Sequence, residues 1–156
     1  MIYIVFGVSG CGKTTIGTLL AKKLDIPFYD ADAFHPKANI IKMSKGLPLN
    51  DSDRKPWLEA IGEAFSTWEK GGVLACSALK ETYRALLNTY GKNIQWIYLD
   101  GSFELIQQRM EARKGHFMKS NLLQSQFDTL EIPDYGIKVS IENEPQVVVQ
   151  QILKQL

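Results

Sequence analysis

A chain of 156 residues with 45% hydrophobic content has room for one domain, 1–156, with an ordinary core and little beyond it. A formal net charge of +1 excludes the basic surplus that nucleic acid or an acidic membrane surface demands, so neither partner is expected. Two cysteines, Cys11 and Cys76, make no disulfide framework, and no apolar run is long enough to cross a bilayer, so the expected location is the cytoplasm.

The first predicted strand, Ile2–Phe6, runs into Gly7-Val8-Ser9-Gly10-Cys11-Gly12-Lys13-Thr14-Thr15, where a helix is predicted over 13–24. Strand, glycine-rich loop and helix in that order turn the G-x-x-x-x-G-K-[ST] spacing into a phosphate site. Glycines let successive N–H groups curl into a nest for anions, and the helix adds its unpaired N–H groups and positive dipole end. Residues 7–15 are therefore expected to hold ATP, with Lys13 on the β- and γ-phosphates and the Thr14 hydroxyl on Mg²⁺. A plain glycine turn with a solvent-facing lysine would leave the match at every constrained position unexplained.

A second strand over 27–30 ends in Asp30-Ala31-Asp32-Ala33-Phe34-His35-Pro36. If the chain stays extended there, Asp30 and Asp32 point to one side, able to hold Mg²⁺ and to take a proton from a substrate hydroxyl. The competing reading is that they cap the helix predicted over 36–45. His35 reads either as a substrate contact or as a structural histidine before that helix. In the polar loop that follows, Asp51 or Asp53 is the expected N-cap of a helix over 54–70, and Arg54 offers a bidentate fork to a carboxylate or hydroxyls.

The third strand, 73–76, lacks the terminal aspartate many phosphate-loop proteins use for Mg²⁺. Lys80 and Arg84 share one face of a helix over 80–90, facing either solvent or an anion. Asp100, closing a strand over 94–99, could carry Mg²⁺ in place of that aspartate but is expected to cap a helix over 102–113. Arg109 and Arg113 share a face near that helix's end, before Gly115. Either they are a basic C-terminus favoured by the dipole, or they belong to a lid over about 109–125 that closes on the phosphates. A helix over 119–130, a strand over 137–141 and a helix over 145–155 complete the chain. Such alternation means βαβ units, a mainly parallel sheet, and ligands beyond the carboxyl ends of its strands.

These residues resemble the bacterial-type gluconokinases, a group of small phosphate-loop (P-loop) kinases. The likeness rests on Gly7–Thr14, on Asp30–Pro36 with Asn39, and on Gly46-Leu47-Pro48-Leu49-Asn50-Asp51 through Trp57-Leu58. It continues in Cys76–Lys80 with Tyr83-Arg84, in Arg113-Lys114-Gly115-His116-Phe117, and in Gln126-Phe127 with Thr129-Leu130-Glu131. The resemblance implies a P-loop NTPase fold of class α/β, a five-stranded parallel sheet flanked by helices with a short lid, and commonly a homodimer. It implies transfer of the ATP γ-phosphoryl group to the 6-hydroxyl of D-gluconate. The catalytic set would then be Lys13, Asp32, Arg109 and Arg113, with Arg109 also touching the nucleotide. Substrate would meet Asp32, His35, Arg54, Lys80, Arg84 and His116, and Mg²⁺ would meet Thr14 and Asp30. The family pattern is broken at Cys11, where serine is usual, at Ile132, and at Asp100, where a basic residue is frequent. The same chemistry on shikimate, a nucleoside monophosphate or another sugar acid is the nearest alternative. A nucleotide-dependent switch or binding module is disfavoured because no Asn-Lys-x-Asp guanine-reading element is present.

Overall fold

The computed structural model describes residues 1–112 and 120–156. Its centre is strand β1 (Ile2–Phe6), an apolar segment buried on both faces, as parallel strands are. The chain continues through α1 (Lys13–Leu24) to β2 (Phe28–Asp30), a 3-10 turn at Ala31–Phe34, α2 (Lys37–Ser44) and α3 (Asp51–Ala64). A second 3-10 turn at Phe65–Thr67 leads to β3 (Gly72–Cys76), α4 (Glu81–Asn88), β4 (Ile94–Asp100) and α5 (Phe103–Ala112). Then come α6 (Ser120–Thr129), β5 (Ile137–Ser140) and α7 (Pro145–Leu153).

All strand pairs are parallel, and the order across the sheet is β2-β3-β1-β4-β5. From β1 the chain goes to one side for β2 and β3, then crosses to the other for β4 and β5. Crevices at such a switch lie beyond the carboxyl ends of the strands, and the glycine-rich loop leaves β1 there. The two edge strands are short, with three residues in β2 and four in β5.

The two-residue side-chain period sorts the core into two layers. Val5, Ile97 and Leu99 face Ile16, Leu20, Ile106, Val148 and Ile152, from α1, α5 and α7. Ile4, Phe6, Trp96 and Tyr98 face the opposite way, toward Trp57, Leu58, Ile61 and Leu87 of α3 and α4.

Several boundaries differ from the sequence reading for local reasons. Strand β2 begins at Phe28 because Pro27 has no N–H to donate, although its carbonyl still accepts from Val73 N–H at 2.9 Å. Helix α3 begins at Asp51 rather than 54, and its N-cap is Asn50, not Asp51 or Asp53. Asp53 N–H donates to Asn50 Oδ1 at 2.8 Å while Asn50 N–H donates to Asp53 Oδ2 at 2.9 Å, a reciprocal capping box. The chain does not stay extended past Asp30. Asp32 N–H donates to Asp30 Oδ1 at 3.0 Å, and this short-range bond turns the backbone into the 3-10 segment. Asp100 is part of β4 and lies 3.8 Å from Lys138, whereas Ser102 Oγ accepts from Leu105 N–H at 3.1 Å at the start of α5.

Candidate active site

The loop between β1 and α1 is built for close backbone approach. Gly10 and Gly12 adopt φ +81° and +97°, where side chains are strained, and a Cβ on Gly10 would lie 2.7 Å from Met110. Gly12 is also the N-cap of α1, so no side chain blocks the first N–H groups of that helix. Lys13 folds back over the loop, donating from Nζ to the carbonyls of Gly7 and Val8 at 3.0 Å each. A cavity of about 210 Å³ opens over this nest, lined among others by Gly10, Lys13, Thr14, Thr15, Asp30 and Asp32. Hydroxyl and carboxylate oxygens facing one small space suit Mg²⁺, which takes few protein ligands and shares the rest with phosphate and water. Among the described residues no group of three His, Cys, Asp or Glu side chains forms a closed metal cage. Cys11 is 1% exposed, and burial pushes its thiol pKa up, so it packs as a small apolar group.

A second cavity, of about 250 Å³, lies beside the first. Ser9, Asp32 and Ser77 line both, so the two spaces meet along those three residues. The far wall includes His35, Leu47, Arg54, Trp57, Leu79 and Gln126. These come from the turn after β2, from the 46–50 loop, from α3, from the loop after β3 and from α6.

Packing fixes the wall residue by residue. Trp57 Nε1 donates to Ala31 O at 2.7 Å, and its ring stacks on His35 at 4.4 Å between centroids, 12° from parallel. Asn39 Nδ2 donates to Asp53 O at 2.8 Å and lies 3.2 Å from His35 Nδ1. The carbonyl can only accept, so Asn39 presents its NH₂ group and His35 Nδ1 accepts; the ring proton is thereby assigned to Nε2. Burial lowers the His35 pKa below 6.5, with nearby Asp32 pulling the other way, and the ring is neutral at pH 7.

Arg54 donates from Nη1 to the Tyr83 hydroxyl at 2.9 Å. Among the described residues no carboxylate forms an ion pair with it. Gln126 reaches from α6 to the glycine-rich loop. Its Oε1 accepts from Ser9 N–H at 2.7 Å, and its Nε2 donates to Ser9 Oγ at 3.0 Å.

Of the residues singled out from sequence, Lys13, Thr14, Thr15, Asp30 and Asp32 come together at the first cavity, and Asp32, His35 and Arg54 at the second. Arg84 does not. It is 0% exposed, with Nη1 donating to Ala78 O at 2.7 Å and Nη2 to Glu131 O at 2.7 Å. Its Nε donates to Tyr135 Oη at 3.0 Å, and its guanidinium lies over the Phe6 ring. The i to i+4 spacing with Lys80 is real, but the helix turns that face inward at Arg84. Lys80 instead points out, 3.1 Å from Asp51 Oδ1, beside the second cavity rather than in its wall. Arg109 lies on the other flank of the loop. It lines a crevice with Cys11, Gly12, Thr15 and residues 141–145, and donates to Ile141 O at 2.6 Å. Arg113 and His116, with the middle of the expected lid, lie outside the described residues. Gln126 and Tyr83 were visible in the sequence only as parts of matching stretches; nothing in their spacing points to Ser9 or Arg54.

The sequence matches the family model described as shikimate kinase over residues 9–156. The thermoresistant gluconokinase of Escherichia coli K12 is 47% identical over 135 residues, which is 85% of this chain and 77% of that protein. The gluconokinase of Gluconobacter oxydans 621H is 43% identical over 157 residues, 97% of this chain and 88% of that one. A crystal structure of a gluconokinase from Sinorhizobium meliloti 1021 superposes with a TM-score of 0.92 at 41% identity, covering 98% of this chain and 89% of the other. Shikimate kinase from Aquifex aeolicus shares the fold, with a TM-score of 0.64 at 24% identity over 99% and 95% of the two chains.

Proposed function

Because the chain belongs to the gluconokinases, within the wider shikimate kinase family of P-loop kinases, we propose that it phosphorylates D-gluconate at the 6-hydroxyl with ATP, giving 6-phosphogluconate and ADP. The observation that carries the choice of a sugar acid is Arg54, a half-buried cation with no carboxylate partner among the described residues, lining a cavity that meets the phosphate-loop cavity at Asp32. An anion in that cavity would complete its pairing.

ATP with Mg²⁺ supplies the phosphoryl group and much of the charge that offsets it. Lys13 leaves the Gly7 and Val8 carbonyls for the β- and γ-phosphates, and Thr14 and Asp30 would hold the Mg²⁺. Gluconate fills the second cavity, its carboxylate toward Arg54 and its hydroxyls toward His35 and Asp32. As the bond from the 6-oxygen to phosphorus forms and the bond to the ADP oxygen breaks, Asp32 accepts the hydroxyl proton. That transfer comes late, since a loose transition state needs little early deprotonation. Arg109 belongs with the nucleotide by its place beside Gly12 and Thr15, and Arg113 is assigned to the same task by its motif alone. The region 109–125 acts as the lid of a single domain, 1–156. We further assign the protein to the cytoplasm as a homodimer; no helix among the described residues is long and apolar enough to cross a membrane.

The test is ADP release by purified protein with ATP, Mg²⁺ and a panel of gluconate, shikimate, nucleoside monophosphates and other sugar acids. Gluconate should accelerate ADP formation far more than any other acceptor. The reading fails if gluconate leaves the rate at its acceptor-free level.

A further inference from the structure

The first turn of α3 carries two carboxylates ahead of Arg54, Asp51 and Asp53, and neither forms an ion pair with it. Asp53 is held by Lys42 at 2.6 Å from α2, and Asp51 by Lys80 at 3.1 Å from the start of α4. Between Arg54 and Asp51 stands the hydroxyl of Tyr83, a residue 5% exposed. That hydroxyl has one proton, and Asp51 can only accept it, so the bond to Asp51 fixes the Tyr83 lone pair toward Arg54 Nη1. Arg54 Nε and Nη2 have no hydrogen-bond partner among the described residues. Lys80 also sits over the Tyr83 ring, 5.7 Å from its centroid, with Arg54 at 5.4 Å. The bonds from Tyr83 and Lys80 lower the Asp51 pKa, so the carboxylate stays charged and in place.

We propose that Tyr83, Asp51 and Lys80 form a positioning relay that keeps the Arg54 guanidinium oriented and unpaired, so that it reads the carboxylate of the acceptor. Tyr83 separates Arg54 from Asp51. Lys80 holds that acid on the far side, and so acts on the substrate through Asp51 rather than by touching it. Lys42 and Lys80 take up the charge of Asp53 and Asp51, leaving Arg54, among the described residues around it, for the ligand. This inference rests on the proposed function and adds to it the residues that set selectivity for an acid over its neutral analogue.

The test compares kcat and KM for D-gluconate and for D-gluconamide, which keeps every hydroxyl and carries a neutral amide in place of the carboxylate. The wild-type protein should favour gluconate, with the preference in KM. Tyr83→Phe should raise KM for gluconate about tenfold, with little change for gluconamide or ATP, because a hydrogen bond to a charged group is lost while the ring remains. Lys80→Met, on the surface, should weaken gluconate in the same direction by releasing Asp51 toward Arg54. Adding Asp51→Asn to Lys80→Met should bring KM back to within about twofold of wild type, a coupling that direct contact between Lys80 and substrate would not produce. The relay is refuted if Tyr83→Phe keeps the full preference for gluconate. It is equally refuted if the double variant is no better than Lys80→Met. A wild-type protein that turns over gluconate and gluconamide alike also refutes it, whereas one that gluconate does not stimulate at all refutes the proposed function instead. Should Tyr83→Phe fail to fold, the Lys80 and Asp51 pair decides alone.

Discussion

The two cavities that meet at Asp32 are made in opposite ways. The phosphate-loop cavity takes most of its shape from one continuous stretch, Gly7–Thr15, in which backbone N–H groups and a helix start do the work. The second cavity takes one short continuous run, Gly46–Leu49, from the loop before α3, and the rest of its lining singly or in pairs. Its wall is assembled from separate segments spread from Ser9 to Thr129, and side chains held by other side chains define it. The first is therefore damaged chiefly by changes within that stretch, while the second can be disturbed from several distant points.

The contrast is tested most severely at Lys13. Lys13→Ala should lower kcat by about 10³ through lost charge stabilisation while the unfolding transition stays where it was; normal turnover by folded Lys13→Ala would remove the central role given to this loop. Next comes the buried strut behind the second cavity. Arg84→Met should destabilise the fold by about 3 kcal/mol, because the Ala78 and Glu131 carbonyls lose their buried donor. Chemical denaturation would show it as a lower midpoint, and an unchanged midpoint would mean the strut is idle. Asp32→Asn, where the cavities meet, should lower kcat by about a hundredfold with little change in KM for ATP, as expected of a proton acceptor.

Smaller effects come from the supports. Asn50→Ala removes one half of the capping box at the start of α3 and should cost about 1 kcal/mol, readable in the same denaturation experiment. The His35 side chain is 4% exposed and favours the neutral ring, so the folded pKa lies below the unfolded one. The unfolded chain therefore binds the proton first. The stability tied to the neutral ring is whole above pH 6.5 and drains as pH falls toward the lower folded value. Melting curves at pH 7.5 and 5.5 should show a larger drop for wild type than for His35→Gln.

The same contrast decided what could be read before folding. The glycine-rich loop is contiguous, so its residues, its helix and its strand were all legible from spacing. The alternation of apolar strands and amphipathic helices likewise announced a parallel sheet and the places of its five strands. Local competition was harder to see. Asp30 captures the N–H of Asp32 and turns the chain, and Asn50 captures α3 three residues early; both outcomes depend on which of several adjacent polar groups wins a short-range bond. Hardest were Arg54 and Arg84, two arginines near the starts of helices with the same chemistry in one dimension. Only the rotation of α4 against β1 sends Arg84 under Phe6, and only packing of α3 on the turn after β2 brings Arg54 to a cavity. Gln126 was hidden for a similar reason, since 117 residues separate it from Ser9.

The brevity of β2 and β5 has a consequence for assembly. Three or four residues at either rim give a neighbouring molecule very few main-chain groups to zip onto, which protects against runaway sheet extension and fibre growth. Copies of this protein that associate must therefore meet through helical or loop surfaces, and such a contact can be cut by changing side chains without touching the strands.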